Sequence, residues 1–235
     1  MKALGFLLGA TVKKVAVVVV LCLAVYGLYS YAFPSTTLRY RLTLEVEADG
    51  RIHSGSGVIQ VTYGKCLGWM SNTGSCGYAD VVGEAIPVDV PPNGPLFALL
   101  SSGDTPRSGP EWTPRVAFGF PMSDSMEETV ARVRSIKGSA KVPADQIPPL
   151  VRFRNSADPN TAEFVDPQGF GGRFGVTIKS ASLEVTKAPV TTGIEKRIPW
   201  LADETAIRAF WKALLASGFR AQGSIEPRNL LKRNE

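Results

Sequence analysis

Leu38-Arg39-Tyr40-Arg41-Leu42-Thr43-Leu44-Glu45-Val46-Glu47, closed by Asp49-Gly50, is the stretch that decides the fold. Tyr40, Leu42, Leu44 and Val46 share one parity, and Arg39, Arg41, Thr43, Glu45 and Glu47 the other. Strict alternation of this kind predicts a strand with one face in a core. Asp49-Gly50 supplies two residues that tolerate positive φ, the requirement of a tight hairpin turn. The return strand is expected from about Gly57 to Tyr63, with His53-Ser54-Gly55-Ser56-Gly57 bending or bulging its start.

Further strands are expected over 80–90, where Ile86, Val88 and Val90 alternate, and over the wholly apolar Leu96-Phe97-Ala98-Leu99-Leu100, which suits a sheet interior. Val116 to Phe120 and Leu150 to Arg154 read as two more. Val176 to Thr186 is a long strand whose apolar parity slips between Ile178 and Ala181, predicting a bulge near Ser180. One helix starts at a Ser125/Glu128 capping box, buries Val130 and Val133, and stops at Gly138. A second runs from about Asp203 to Ser217 with Ile207, Phe210, Trp211 and Leu214 on one face. The expected fold class is α+β: an N-terminal transmembrane helix, then one mainly antiparallel β-sheet domain with two amphipathic helices.

The transmembrane expectation comes from Val15–Phe33, nineteen residues without a charge. About 20 apolar residues cover a bilayer core of about 30 Å. Tyr26, Tyr29 and Tyr31 gather at one end, and Lys2, Lys13 and Lys14 precede the span. The organisation read from this is a basic cytoplasmic N-terminus over 1–14, a signal-anchor over 15–33, an extracytoplasmic domain over 34–217 and a polar, frayed tail over 218–235. It places the chain in the cytoplasmic membrane as a single-pass protein, with its C-terminal domain in the periplasm. A signal peptide cleaved after Ala32 is the rival reading. A lipid anchor at Cys22 is disfavoured by Leu21 before it, and a buried core helix by four consecutive valines beside a lysine pair.

The net charge of +5 belongs to the ends. Residues 34–217 carry nineteen bases and nineteen acids, so the body has no overall basic field for nucleic acid. Cys66 and Cys76 flank a Gly/Ser/Asn-rich connection and are natural disulfide partners in an oxidising compartment, closing a loop worth about 2–3 kcal/mol. A redox or metal pair would use closer spacing and more ligands. Gly and Pro together make 40 of 235 residues, which favours turns and short strands.

Candidate chemistry is sparse. His53, the one histidine, has serines on both sides, but no G-x-S-x-G elbow accompanies it. Gly169-Phe170-Gly171-Gly172-Arg173-Phe174-Gly175 lacks the order of a phosphate loop. Asp158, Asn160, Glu163 and Asp166 offer oxygens to a hard cation without calcium-loop spacing. Trp69, Trp112, Trp200 and Trp211 are scattered along the chain. No catalytic, cofactor or metal residue is assigned, and no cofactor is expected.

Arg41-Leu42-Thr43-Leu44-Glu45-Val46-Glu47, Gly83-Glu84-Ala85-Ile86-Pro87-Val88-Asp89, Leu96 to Leu100 and the stretch from Pro189 to Leu201 carry a resemblance. Together they resemble a family of uncharacterised bacterial single-pass envelope proteins. The resemblance spans most of 38–201, consists of strand and turn sequences, and implies no activity and no site residue.

The functional expectation is a binding or scaffold protein that meets the lipid bilayer through its N-terminal helix, with a protein partner and no nucleic acid. Two alternatives remain open. An envelope hydrolase would assemble a Ser/Asp/His site in the fold, in a pocket with a strongly perturbed acid or His53. An inhibitor or immunity-type protein would present an apolar patch of a few hundred Å² on the domain.

Overall fold

The computed structural model describes residues 2–65, 77–91, 94–101, 109–167, 175–220 and 226–234. Helix α1 (Lys2–Ala32) leads into β1 (Ser35–Ala48), which pairs antiparallel with β2 (Arg51–Lys65) in unbroken register from Ser35↔Gly64 to Ala48↔Arg51. Asp49 and Gly50 take φ of 49° and 70°, the double positive φ of the expected two-residue turn. The register shows that 53–57 neither bends nor bulges. The glycines serve close approach instead: a Cβ at Gly55 would stand 2.1 Å from the Pro87 carbonyl oxygen, where the next sheet crosses.

The region 80–90, expected as one strand, is two. β3 (Gly77–Glu84) pairs with β2, and β4 (Ile86–Val90) pairs with β5 (Gly94–Ala98) in a different sheet. The chain changes sheet at Ala85. Instead of a strand over 116–120, a short helix α2 (Thr113–Ala117) forms, with Pro114 in its first turn. Helix α3 (Met126–Ser135) has both hydrogen bonds of the capping box, Glu128 N–H to Ser125 Oγ at 3.2 Å and Ser125 N–H to Glu128 Oε2 at 2.7 Å. Strands β6 (Ser139–Lys141), β7 (Leu150–Phe153), β8 (Ala162–Val165) and β9 (Val176–Val185) follow, then α4 (Glu204–Ala216) and β10 (Lys232–Arg233). The register between β1 and β9 shifts so that Lys179 has no partner between Ser180 and Ile178, which is the expected bulge.

The single sheet of the sequence reading is thus corrected to two antiparallel sheets, a six-stranded one in the order β10-β3-β2-β1-β9-β6 and a four-stranded one in the order β4-β5-β7-β8. The inward face of the larger sheet (Tyr40, Leu42, Leu44, Val46, Ile59, Val61, Tyr63) packs on Ile86, Val88, Leu96, Ala98 and Leu150. Val130 and Val133 of α3 join this core. The other face of the smaller sheet, Phe97, Leu99, Val151 and Phe153, packs on Ile207, Phe210 and Leu214 of α4. Phe153 is the hub, with its ring centroid 5.6 Å from Phe97 and 6.0 Å from both Trp200 and Phe210. Burying each such side chain contributes about 1.5–3 kcal/mol. Both faces of β5 are covered, which is why its sequence is apolar throughout.

The transmembrane reading is overturned. Among the described residues, no helix is long and apolar enough to cross a membrane. The signal-anchor over 15–33 and the single-pass placement with a periplasmic domain fall with it. Cys66 and Cys76 lie outside the described residues, and the structure holds no disulfide among those it describes; Cys22 is a free, exposed thiol. The segment 226–234 is also different from a frayed tail: Leu230 and Leu231 are fully buried in the second core, and β10 pairs with β3.

Candidate functional site

The residues singled out in the sequence do not converge. His53 lies on β2 opposite Val46, half-buried near the hairpin, and its imidazole makes no hydrogen bond or ion pair with any described residue. Asp158 caps a 3-10 turn, its Oδ1 accepting from Asn160 N–H at 3.0 Å and from the Asn160 amide at 2.9 Å. Glu163 pairs with Arg154 at 3.2 Å and Arg152 at 3.7 Å. No group of three potential metal-ligating side chains forms among the described residues. Trp69 and residues 169–174 of the glycine run lie outside the described residues. Trp200 and Trp211 serve the second core, and Trp112 stacks under the Arg115 guanidinium at 4.2 Å.

What the fold does build is a groove of about 600 Å³ along the outer edge of β3, lined by Thr62, Ala79, Asp80, Val81, Val82, Asn229, Arg233 and Asn234. Strand β10 covers this edge only at Gly83 and Glu84. Ala85 N–H donates to Leu231 O at 2.8 Å, so by the two-residue alternation of an antiparallel ladder the N–H and C=O of Gly83, Val81 and Ala79 face the same way. The β2 side gives the same answer. Val58 bonds Thr191 through both its N–H and its C=O on that edge, so Gln60, Thr62 and Gly64 reach β3 at Val82, Asp80 and Tyr78. The main-chain groups of Ala79 and Val81 therefore point into the groove, where no described strand meets them.

The far wall is the C-terminal segment. Pro227–Leu230 forms a 3-10 turn, and Leu100 N–H donates to Leu230 O at 2.8 Å. Arg233 turns inward, its Nη2 donating to Leu100 O at 2.6 Å and its Nε to Asn229 O at 3.2 Å. Burial lowers its pKa, against the attraction of Glu111 and Tyr40. Lys232 reaches Glu84, 3.2 Å away with a nearly buried carboxylate, and also pairs with Glu195. Glu84 in turn accepts Ile194 N–H at 2.8 Å. The wall is thus fastened by charge as well as by leucines.

Behind Arg233 lies a buried polar layer. Tyr40 Oη donates to Pro110 O at 2.8 Å, and Tyr63 Oη to Glu111 O at 2.6 Å. Burial, reinforced by mutual repulsion with Tyr63 and by Glu111, holds Tyr40 well above the ordinary phenol range. Burial raises Tyr63 likewise, with Arg115 opposing and Glu111 adding. Both phenols stay neutral at any physiological pH and act as fixed donors. The groove therefore offers main-chain donors and acceptors, the Asp80 carboxylate and amide side chains, a chemistry suited to holding a ligand.

Sequence reasoning missed Asn229 and Arg233 because the end of the chain reads as polar. The signal was Leu230-Leu231, an apolar pair just after Pro227. No protein family, curated protein or solved structure matches the chain.

Proposed function

We propose that the protein works by binding, as a recognition or scaffold protein, and that the β3-edge groove is its site. The observation that carries this is a groove whose volume falls in the range of about 300–1,000 Å³ typical of ligand sites, along which no described strand meets the main-chain groups of Ala79 and Val81. Fragment mapping tests it. A set of small polar fragments added to the ¹⁵N-labelled chain should shift Thr62, Asp80, Val82 and Asn229 together. Shifts clustered instead around the second groove, about 410 Å³ beside Val142, Ile147 and Lys179, would remove the reading.

The alternatives draw less support. His53 does not line the groove, and the exposed large hydrophobics of the domain, Ile52, Tyr78, Met122 and Leu215, sit apart on different segments. Exposed apolar surface is concentrated on α1, where Val15, Val18, Leu21, Leu23, Val25 and Leu28 stand 58–69% exposed on all sides of the helix. That supports α1 as the contact with lipid. The full chain should float with phosphatidylcholine vesicles, and a Val18→Lys/Leu21→Lys variant should not; equal behaviour of the two would defeat the lipid contact.

A further inference from the structure

Sheet edges are hazards that proteins normally cover, bulge or charge. From Ala79 to Val82 β3 keeps unbroken register with β2, carries neither proline nor bulge, and has no described strand on its other edge. The covering strand β10 stops after Arg233, and Asn234 joins the groove wall instead of continuing the ladder. A groove of about 600 Å³ bounded by main chain on one side and by Asn229 and Asn234 on the other offers an extended backbone both ladder groups and side-chain amides. The charge of the gap is one-sided toward a ligand: Arg233 is turned inward on two carbonyls, while Asp80 is exposed and pairs with no described residue.

Resting on the groove as the binding site, we propose that its occupant is an extended polypeptide segment that adds to β3 as a further strand, with a Lys or Arg directly across from Asp80. The main-chain groups of Ala79 and Val81 give the ladder, and Asp80 chooses the side chain. Cross-strand partners on one face stand about 4.5–5.5 Å apart, within reach of a basic side chain.

The test uses the full ¹⁵N-labelled chain in detergent and three fluorescent hexapeptides. One is Thr-Val-Lys-Val-Thr-Val, the second replaces its Lys with Glu, and the third carries N-methyl groups on alternate amides. The Lys peptide should slow hydrogen exchange at Ala79 and Val81 at least tenfold and bind at least tenfold more tightly than the Glu peptide. The N-methylated peptide should not bind. Asp80→Asn should weaken the Lys peptide about threefold, and Asp80→Lys should invert the preference. Val81→Pro, which removes a groove-facing N–H and no bond to β2, should abolish binding; Asp80, being exposed, keeps the test open if that variant misfolds. Equal binding of all three peptides, protection confined to the β9 edge, protection of Ala79 and Val81 by self-association alone, or no protection at millimolar peptide would each overturn the proposal. Fragments that map to the groove while every peptide fails would leave the binding site standing and remove only the strand.

Discussion

The two ends of the six-stranded sheet are finished by different means. At one end, β9 is closed over Ser182–Glu184 by β6, then bulges at Lys179, whose ammonium pairs with Glu47. A bulge and an edge lysine are the usual devices against unwanted strand pairing. At the other end, β3 is closed at two residues by β10 and then runs on without a bulge. One edge is defended by its own sequence. The other is defined by a separate strap, 226–234, beyond which no described strand pairs with it.

The largest way to break this contrast is to release the strap. Lys232→Met leaves the Glu84 carboxylate, 5% exposed, without its cation. Removing one partner of such a pair costs about 3 kcal/mol, and denaturant unfolding should show it. Adding Glu84→Gln should recover most of the loss. The pH dependence has two limbs. Pairing with Lys232 lowers Glu195, so that contribution is present above its ordinary 4.5 and is lost as pH falls through the lowered value. Pairing with Glu195, then Glu84, raises Lys232, so its contribution is present below 10.5 and is lost as pH climbs through the raised value. Lys232→Met should flatten both limbs.

Next comes the polar layer behind the groove. Tyr40 and Tyr63 have folded pKa values raised above 10, so the unfolded chain ionises first. Stability should hold up to pH 10 and then fall by about 2.7 kcal/mol per pH unit, about 1.4 for each phenol. Tyr63→Phe should halve that slope. An unchanged slope would mean that the layer opens to water before the sheet unfolds.

How much of this was legible follows from where each signal lives. Alternation in 38–47, Asp49-Gly50, the Ser125/Glu128 box and the parity slip between Ile178 and Ala181 are local, and each became the element it predicts, the bulge falling at Lys179, one residue from Ser180. The second sheet was hidden because a strand that changes sheets keeps its strand-like composition. Its trace is a parity change at Ala85, from Val81 and Gly83 to Ile86, Val88 and Val90 as the buried set. Gly55 was read as a local kink, whereas its reason, the Pro87 carbonyl, lies 32 residues away in the sequence. The groove was not legible at all. It needs β3 and the 3-10 turn over 227–230 side by side, two segments of opposite composition separated by most of the domain.

Hydrogen exchange sharpens the comparison without altering the molecule. Leu183 faces β6, since Val185 N–H donates to Gly138 O at 2.8 Å two residues on. Ala79 and Val81 face the groove. No described residue accepts from these two amides, and amides without a partner open at close to zero free energy, so they should exchange roughly a hundredfold faster than Leu183. Similar rates would mean that the β3 edge is already covered.

The smallest expected effect separates protection from stability. Lys179→Ala removes an exposed ion pair with Glu47, side chains 46% and 34% exposed, and such pairs contribute about 0.2–1 kcal/mol. The unfolding midpoint should barely move. If the bulge and charge at Lys179 serve to discourage pairing, the loss should appear elsewhere, as concentration-dependent self-association that high salt does not suppress. The corresponding change on the other edge, Asp80→Ala, should produce no new association, because no described strand covers that edge. A Lys179→Ala variant that stays monomeric at high concentration would mean that the bulge alone defends β9, and that charge at this edge is incidental.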